Sequence, residues 1–158
     1  MRIDWLSAHP RHAAALAQAH VAAFGALQPE WTAGQALAEL RAHDRPAVIP
    51  STLLALDAAG GWLGSVSLLD EDHPGIHQYT PWLASLYVRP EARGGGIGRA
   101  LVARAVAEAG ALGVSTLYLY CTPALVAWYL RLGWREQQRL QLGPLLVHVL
   151  AIDCGSPA

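Results

Sequence analysis

The chain has 158 residues and a formal net charge of −1, so one domain with one real core is expected, without the charge excess that holds nucleic acid or an anionic membrane surface. Hydrophobic residues make up 53%, which excludes a disordered chain, and charged residues only 15%, below the usual quarter or so, which points to an apolar surface patch and a homodimer. Two cysteines, Cys121 and Cys154, make no disulfide framework, the start Met1-Arg2-Ile3-Asp4-Trp5 lacks a signal-peptide pattern, and no apolar run is long enough to cross a bilayer; a cytoplasmic protein is expected.

In chain order, Arg2 to Leu6 alternates, with Ile3 and Trp5 on one face, and reads as a short strand ended by His9-Pro10. Ala13 to Phe24 is alanine-rich, with Leu16, Val21 and Phe24 at helical spacing, and Gly25 and Pro29 break it. Thr32 caps a second helix reaching about Ala42, with Leu37 and Leu40 facing inward. Leu53 to Asp57 and Trp62 to Leu69 form a hairpin about Ala58-Ala59-Gly60-Gly61. Residues 70–81 make a polar loop, longer than a hairpin needs and dense in titratable groups. Trp82 to Val88 is a buried central strand, and a helix to Leu112 follows, closed by Gly113. Thr116 to Cys121 is a core strand. Ala124 to Leu132 is a helix started by Pro123 and closed by Gly133. Trp134 to Leu140 and Leu145 to Ile152 pair about Gly143-Pro144. The order predicts a mixed α/β fold, a central sheet flanked by helices, as one domain over residues 1–154 with a tail at 155–158.

Between the central strand and its helix lies Arg93-Gly94-Gly95-Gly96-Ile97-Gly98-Arg99. A strand, a glycine-dense turn and a helix start together present unpaired backbone N–H groups, in the field of the helix dipole, to an anion. Glycine also lets a phosphate approach without meeting a Cβ. An ATPase phosphate loop would need Lys then Ser or Thr after its last glycine, where Arg99 and Ala100 stand. A dinucleotide fingerprint would need a third small residue where Arg99 or Leu101 falls, and an acid at the end of the next strand, which ends Tyr120-Cys121-Thr122.

The segment Arg93 to Gly98 resembles the Arg/Gln-x-x-Gly-x-Gly/Ala loop of the GNAT family of N-acetyltransferases. Val88-Arg89-Pro90 resembles the turn before that loop, and Trp128-Tyr129-Leu130-Arg131-Leu132-Gly133-Trp134 resembles the family's later aromatic-Tyr-x-x-x-Gly-Phe/Trp signature. The resemblance runs from about Trp82 to Arg135 and implies the GNAT fold, with acetyl-coenzyme A as co-substrate and a small-molecule or peptide amine as acceptor. It implies that Arg93, Gly94, Gly95, Gly96, Ile97, Gly98 and Arg99 cradle the pyrophosphate. It implies that the main chain of Leu86, Tyr87 and Val88 meets the pantetheine arm, with an N–H near Leu86 facing the oxyanion. It implies that Tyr129 takes the role of general acid to the departing thiolate.

The central strand holds no carboxylate, although some members of that family place a Glu there. The base then falls to the preceding loop, where Asp70, Glu71, Asp72, His73 and His77 are candidates and Glu71 and Asp72 lead, because adjacent carboxylates push one pKa upward. Asp72, His73 and His77, or His9 and His12, are of metal-ligand type but lack any metal-site spacing, so no metal is expected. Glu30, Trp31 and His43 are candidates for the acceptor pocket. No cysteine sits in a nucleophile setting, which favours direct transfer. A non-catalytic acyl-coenzyme A binding module on the same fold is the alternative. The identity of the acceptor stays open.

Overall fold

A computed structural model describes residues 1–155. Of the expected tail, Gly155 is described and residues 156–158 lie outside the described residues.

The strands are β1 (Arg2–Trp5), β2 (Ser51–Leu56), β3 (Trp62–Leu69), β4 (Trp82–Val88), β5 (Thr116–Cys121), β6 (Arg135–Leu142) and β7 (Leu145–Asp153). They form one seven-stranded sheet in the order β1-β2-β3-β4-β5-β7-β6. All neighbours are antiparallel except β4 and β5, which are parallel. The helices are α1 (Ala13–Phe24), α2 (Ala33–Ala42), α3 (Ile97–Ala111) and α4 (Val126–Arg131).

Strand β2 shows why the sheet is covered on both faces. Its six residues are all buried, with Leu53 and Ala55 in one apolar cluster and Leu54 and Leu56 in another. Successive side chains of a strand point to opposite faces, so the run Leu53-Leu54-Ala55-Leu56 needs a layer on each side. Helices α1 and α2 supply one layer through Leu16, Ala17, Ala36 and Leu40; α3 and α4 supply the other through Leu101, Val102, Ala105 and Tyr129.

Local signals set most helix ends. The Thr32 hydroxyl accepts from the Gln35 N–H while the Gln35 side chain accepts from the Thr32 N–H, a capping box worth about 1 kcal/mol. Helix α3 begins at Ile97, directly after Gly96, whose φ of +84° turns the chain into the helix. Beyond α3, Gly113 takes φ +86° and the Val114 N–H returns to the Ala109 carbonyl, the expected glycine closure. The last helix departs from expectation: Pro123–Leu125 forms a 3₁₀ turn, and regular helix runs only over Val126–Arg131.

Candidate active site

The centre of the sheet is split. Strands β4 and β5 share a single register pair, Trp82 with Tyr118, and then part. β5 instead pairs along its whole length with β7, up to Cys121 opposite His148. Burial along β4 follows: Trp82, Leu83 and Ala84 are buried, and Ser85 to Val88 are only half-buried. A second irregularity sits at the mouth of the split. Ser65 pairs with Tyr87 and Ser67 with Ala84, so Ser85 and Leu86 together face Val66. This is a β-bulge, and Ser85 takes φ +54°, a strained value for a residue with a Cβ. Leu86 thus sits in the bulge, out of regular register with β3, and has no partner residue on β5.

The glycine loop lies where β4 ends. Gly94 and Gly96 both have φ near +85°, and a Cβ built at either would meet nothing within 4 Å. Glycine is required there by backbone conformation, and the space above the loop is open. From Gly94 through Arg99 no backbone N–H donates to a protein acceptor among the described residues; the first helical bond is Ala100 N–H to the Gly96 carbonyl. The Arg93 Nε donates to the Val88 carbonyl at 2.9 Å, and its guanidinium stands 5.7 Å from the Tyr87 ring centre. This ties loop to strand and leaves the other guanidinium N–H groups for a ligand.

Two chambers meet at the split. A chamber of about 680 Å³ is bounded by Leu86, Tyr87 and Val88, by the glycine loop with Arg93 and Arg99, and by Trp128 and Tyr129. Of the residues assigned above to the donor, only Gly95 does not line it. A second chamber of about 600 Å³ adjoins it along β4, at Leu83 to Leu86, between the α1–α2 turn, residues 69–72 and the end of β5. Leu86 and Tyr129 line both, together with Ala23, Phe24 and Leu125.

Tyr129 is held by its local sequence. Gly133 at φ +95° closes α4, and the Trp134 N–H returns to the Tyr129 carbonyl at 3.2 Å. The Tyr129 ring meets Trp128 edge-on at 4.9 Å and Trp134 at 6.0 Å. This is what the spacing Trp-Tyr-x-x-x-Gly-Trp accomplishes: a glycine-closed helix end that fixes one phenol between two indoles. The hydroxyl makes no hydrogen bond among the described residues, and burial raises its pKa well above the ordinary tyrosine range.

Asp72 and Glu71 separate in the structure. Both border the second chamber, but Glu71 is exposed and 3.7 Å from the equally exposed His77. Burial raises the Asp72 carboxyl to about pKa 7, and the negative charge of Glu39 adds to the shift. The source of the shift is therefore enclosure and a carboxylate on α2, not the adjacent Glu71. Gln28 donates to the Asp72 carbonyl at 3.2 Å and to the Tyr120 hydroxyl at 3.4 Å, and buried Ile76 anchors the loop below. Trp31 and His43 also line this chamber. Glu30 is exposed and does not. Glu39, Gln28 and Tyr120 were not singled out as chamber groups by sequence; a polar helix face and a strand tyrosine carry no signal of it.

Burial, with Glu136 nearby, pushes the Cys121 thiol up to about 11, so it stays protonated near neutrality and is a poor nucleophile. Among the described residues no three His, Cys, Asp or Glu side chains group as a metal site. His9 pairs with Asp4 at 2.9 Å and His12 with the Gly60 carbonyl at 3.0 Å. Among the described residues no helix is long and apolar enough to cross a membrane.

A model of the acetyltransferase (GNAT) family matches residues 16–134. No curated protein matches the chain significantly. Among solved structures, an aminoglycoside 6′-N-acetyltransferase complexed with coenzyme A superposes with a TM-score of 0.75 at 16% identity, covering 100% of this chain and 99% of its own. A GNAT-family acetyltransferase from Staphylococcus aureus Mu50 does so with a TM-score of 0.68 at 14% identity, covering 98% and 100%. A spermidine/spermine N-acetyltransferase from Vibrio cholerae reaches 0.56 at 20% identity, covering 76% and 72%.

Proposed function

The chain belongs to the GNAT acetyltransferase family, and from that premise we propose that it moves an acetyl group from acetyl-coenzyme A directly to a primary amine in one ternary complex. The observation that carries the donor assignment is the run of unpaired N–H groups from Gly94 to Arg99, open at Gly94 and Gly96 and flanked by Arg93 and Arg99. Unpaired donors of the residues that line the chamber, Gly94 and Gly96 to Arg99, at a helix start suit a pyrophosphate. The long cleft from this loop to Leu86 suits the pantetheine arm that follows. Residues 1–154 act as one catalytic domain on this reading.

The chain's residues then divide the work. Tyr87 and Val88 offer β4 main chain to the arm, in the gap that β5 has vacated. The Leu86 N–H, out of register with β3, faces the carbonyl oxygen that gains charge when the amine attacks. Tyr129 gives a hydrogen bond to the sulfur that departs. Asp72 takes a proton from the ammonium, directly or through water, before attack. Coenzyme A supplies the activated acyl group as a thioester.

Thermal melts with acetyl-coenzyme A, coenzyme A, NAD and ATP in parallel test the donor. A ligand at a hundred times its dissociation constant adds about 2.7 kcal/mol, on the order of 5–10 °C for a chain of this size. A shift with the two coenzyme A species alone is expected; a shift with NAD or ATP only, or none, overturns the reading. Release of coenzyme A that rises with added amine separates the enzyme from a binding module. Arg93→Ala should weaken acetyl-coenzyme A binding about tenfold by isothermal titration, the loss of one charge-assisted hydrogen bond, while the loop keeps its glycine-set shape.

A further inference from the structure

The two chambers carry opposite charge. Arg93 and Arg99 line the donor side, which has no carboxylate. The other chamber is lined by Glu39, Asp70, Glu71 and Asp72, and by no Arg. The chain has no lysine at all, its 11 basic residues other than His being arginines. His43 is the remaining titratable nitrogen in that lining, and burial lowers its pKa, which keeps it neutral; it bonds the Thr52 hydroxyl at 2.8 Å. Within the lining, then, no Arg or Lys faces the carboxylates, and among the described residues only Glu71 has a basic neighbour outside it, His77 at 3.7 Å.

The reacting amine does not balance them. It must be neutral when it attacks, so its own charge is gone at the moment that matters. Glu39 is nevertheless held in place: the Trp31 indole N–H donates to its Oε1 at 3.2 Å. An indole face and a fixed carboxylate at the chamber rim make a seat for an ammonium. Deeper in, the Asp72 carboxylate has no hydrogen-bond partner of its own among the described residues, since Gln28 binds only its main-chain carbonyl. A volume of about 600 Å³ is that of an ordinary small-ligand site.

We propose that the acceptor is an amine bearing a second positive charge and no carboxylate, its far charge held by Glu39 and Trp31 while its reacting nitrogen lies between Asp72 and Leu86. This rests on the acyl-transfer reading above. An acceptor with a carboxylate beside its amine would meet a lining of four carboxyl groups with no Arg or Lys to receive it.

The test compares three five-carbon probes, 1,5-diaminopentane, n-pentylamine and 5-aminopentanoate, by coenzyme A release with acetyl-coenzyme A as donor. In the wild type kcat/KM for the diamine should exceed that for pentylamine about tenfold, with 5-aminopentanoate the poorest. Glu39→Gln, an exposed position that tolerates the change, should bring the diamine-to-monoamine ratio below about threefold, mainly through KM. A diamine no better than pentylamine, or a ratio unmoved in Glu39→Gln, overturns the proposal. No release with any of the three, while acetyl-coenzyme A still raises the melting temperature, overturns the acyl-transfer reading and this proposal with it.

Discussion

Tyr129→Phe should lower kcat about a hundredfold while the affinity for acetyl-coenzyme A changes less than about twofold. The substitution removes one atom. The ring contacts with Trp128 and Trp134 remain, and so does the Trp134 N–H bond to the residue's own carbonyl. The hydroxyl has no protein partner to strand, so folding stability should be nearly unchanged. Its raised pKa also fixes its role. The phenol stays protonated across any practical assay range, so it can donate a hydrogen bond or proton but cannot act as a base. An alkyl thiol ionises below this raised phenol, so Tyr129 stabilises the departing thiolate mainly by a hydrogen bond, with the proton remaining largely on the phenol. Tyr129 therefore adds no descending limb to the pH–rate profile near neutrality. Cys121 does not open a covalent route, since its thiol stays protonated near neutrality, and no burst of coenzyme A should appear without an amine. An unchanged kcat in Tyr129→Phe removes Tyr129 from the chemistry.

Legibility in the sequence followed how local each cause is. Thr116–Cys121 matches its expected span because alternation is a property of adjacent residues. The Thr32 cap, the Gly113 and Gly133 closures and the glycine loop were readable because each answers to one backbone angle or one short-range bond. The bulge at Ser85 was not, because it is a mismatch between two strands and serine announces nothing about φ. Gly95 fell inside the motif yet does not line the donor chamber, since consecutive residues in a tight turn cannot all face one ligand. Asp72 was chosen for its neighbour in sequence, but its environment comes from elements distant in sequence: Glu39 on α2 and the enclosure made with Gln28 and Tyr120. Charge segregation between the chambers is likewise invisible in a net charge of −1, because the arginines and carboxylates balance over the chain and separate only in the fold.

Asp72→Asn should abolish the base and stabilise the fold at once, and pH separates the two effects. Asp72 has a pKa of about 7, so wild-type kcat/KM should rise through a limb centred near pH 7 as the carboxyl gives up its proton and becomes able to accept another. In Asp72→Asn the rate at pH 8 should fall about a hundredfold, and the surviving limb should move to the acceptor amine's own pKa, near 10. A limb that stays at pH 7 in the variant puts the base elsewhere. The stability effect has the opposite sign. Because the folded pKa lies above the unfolded one, the folded chain keeps a proton that the unfolded chain has lost. That advantage is complete below about pH 4, declines as pH rises, and is gone above about pH 7. Asparagine never ionises, so the variant should melt about as the wild type does at pH 4 and roughly 4–8 °C higher at pH 8, about 2 kcal/mol. The gain stays below the full linkage value because Asp72 is partly open to solvent, which screens its charge. A melting difference that does not depend on pH means that the carboxyl is not held in an enclosed place. Glu39→Gln supplies the cross-check: with a negative neighbour gone, the wild-type limb should shift to lower pH, since Glu39 is one of the two causes that hold the Asp72 pKa up.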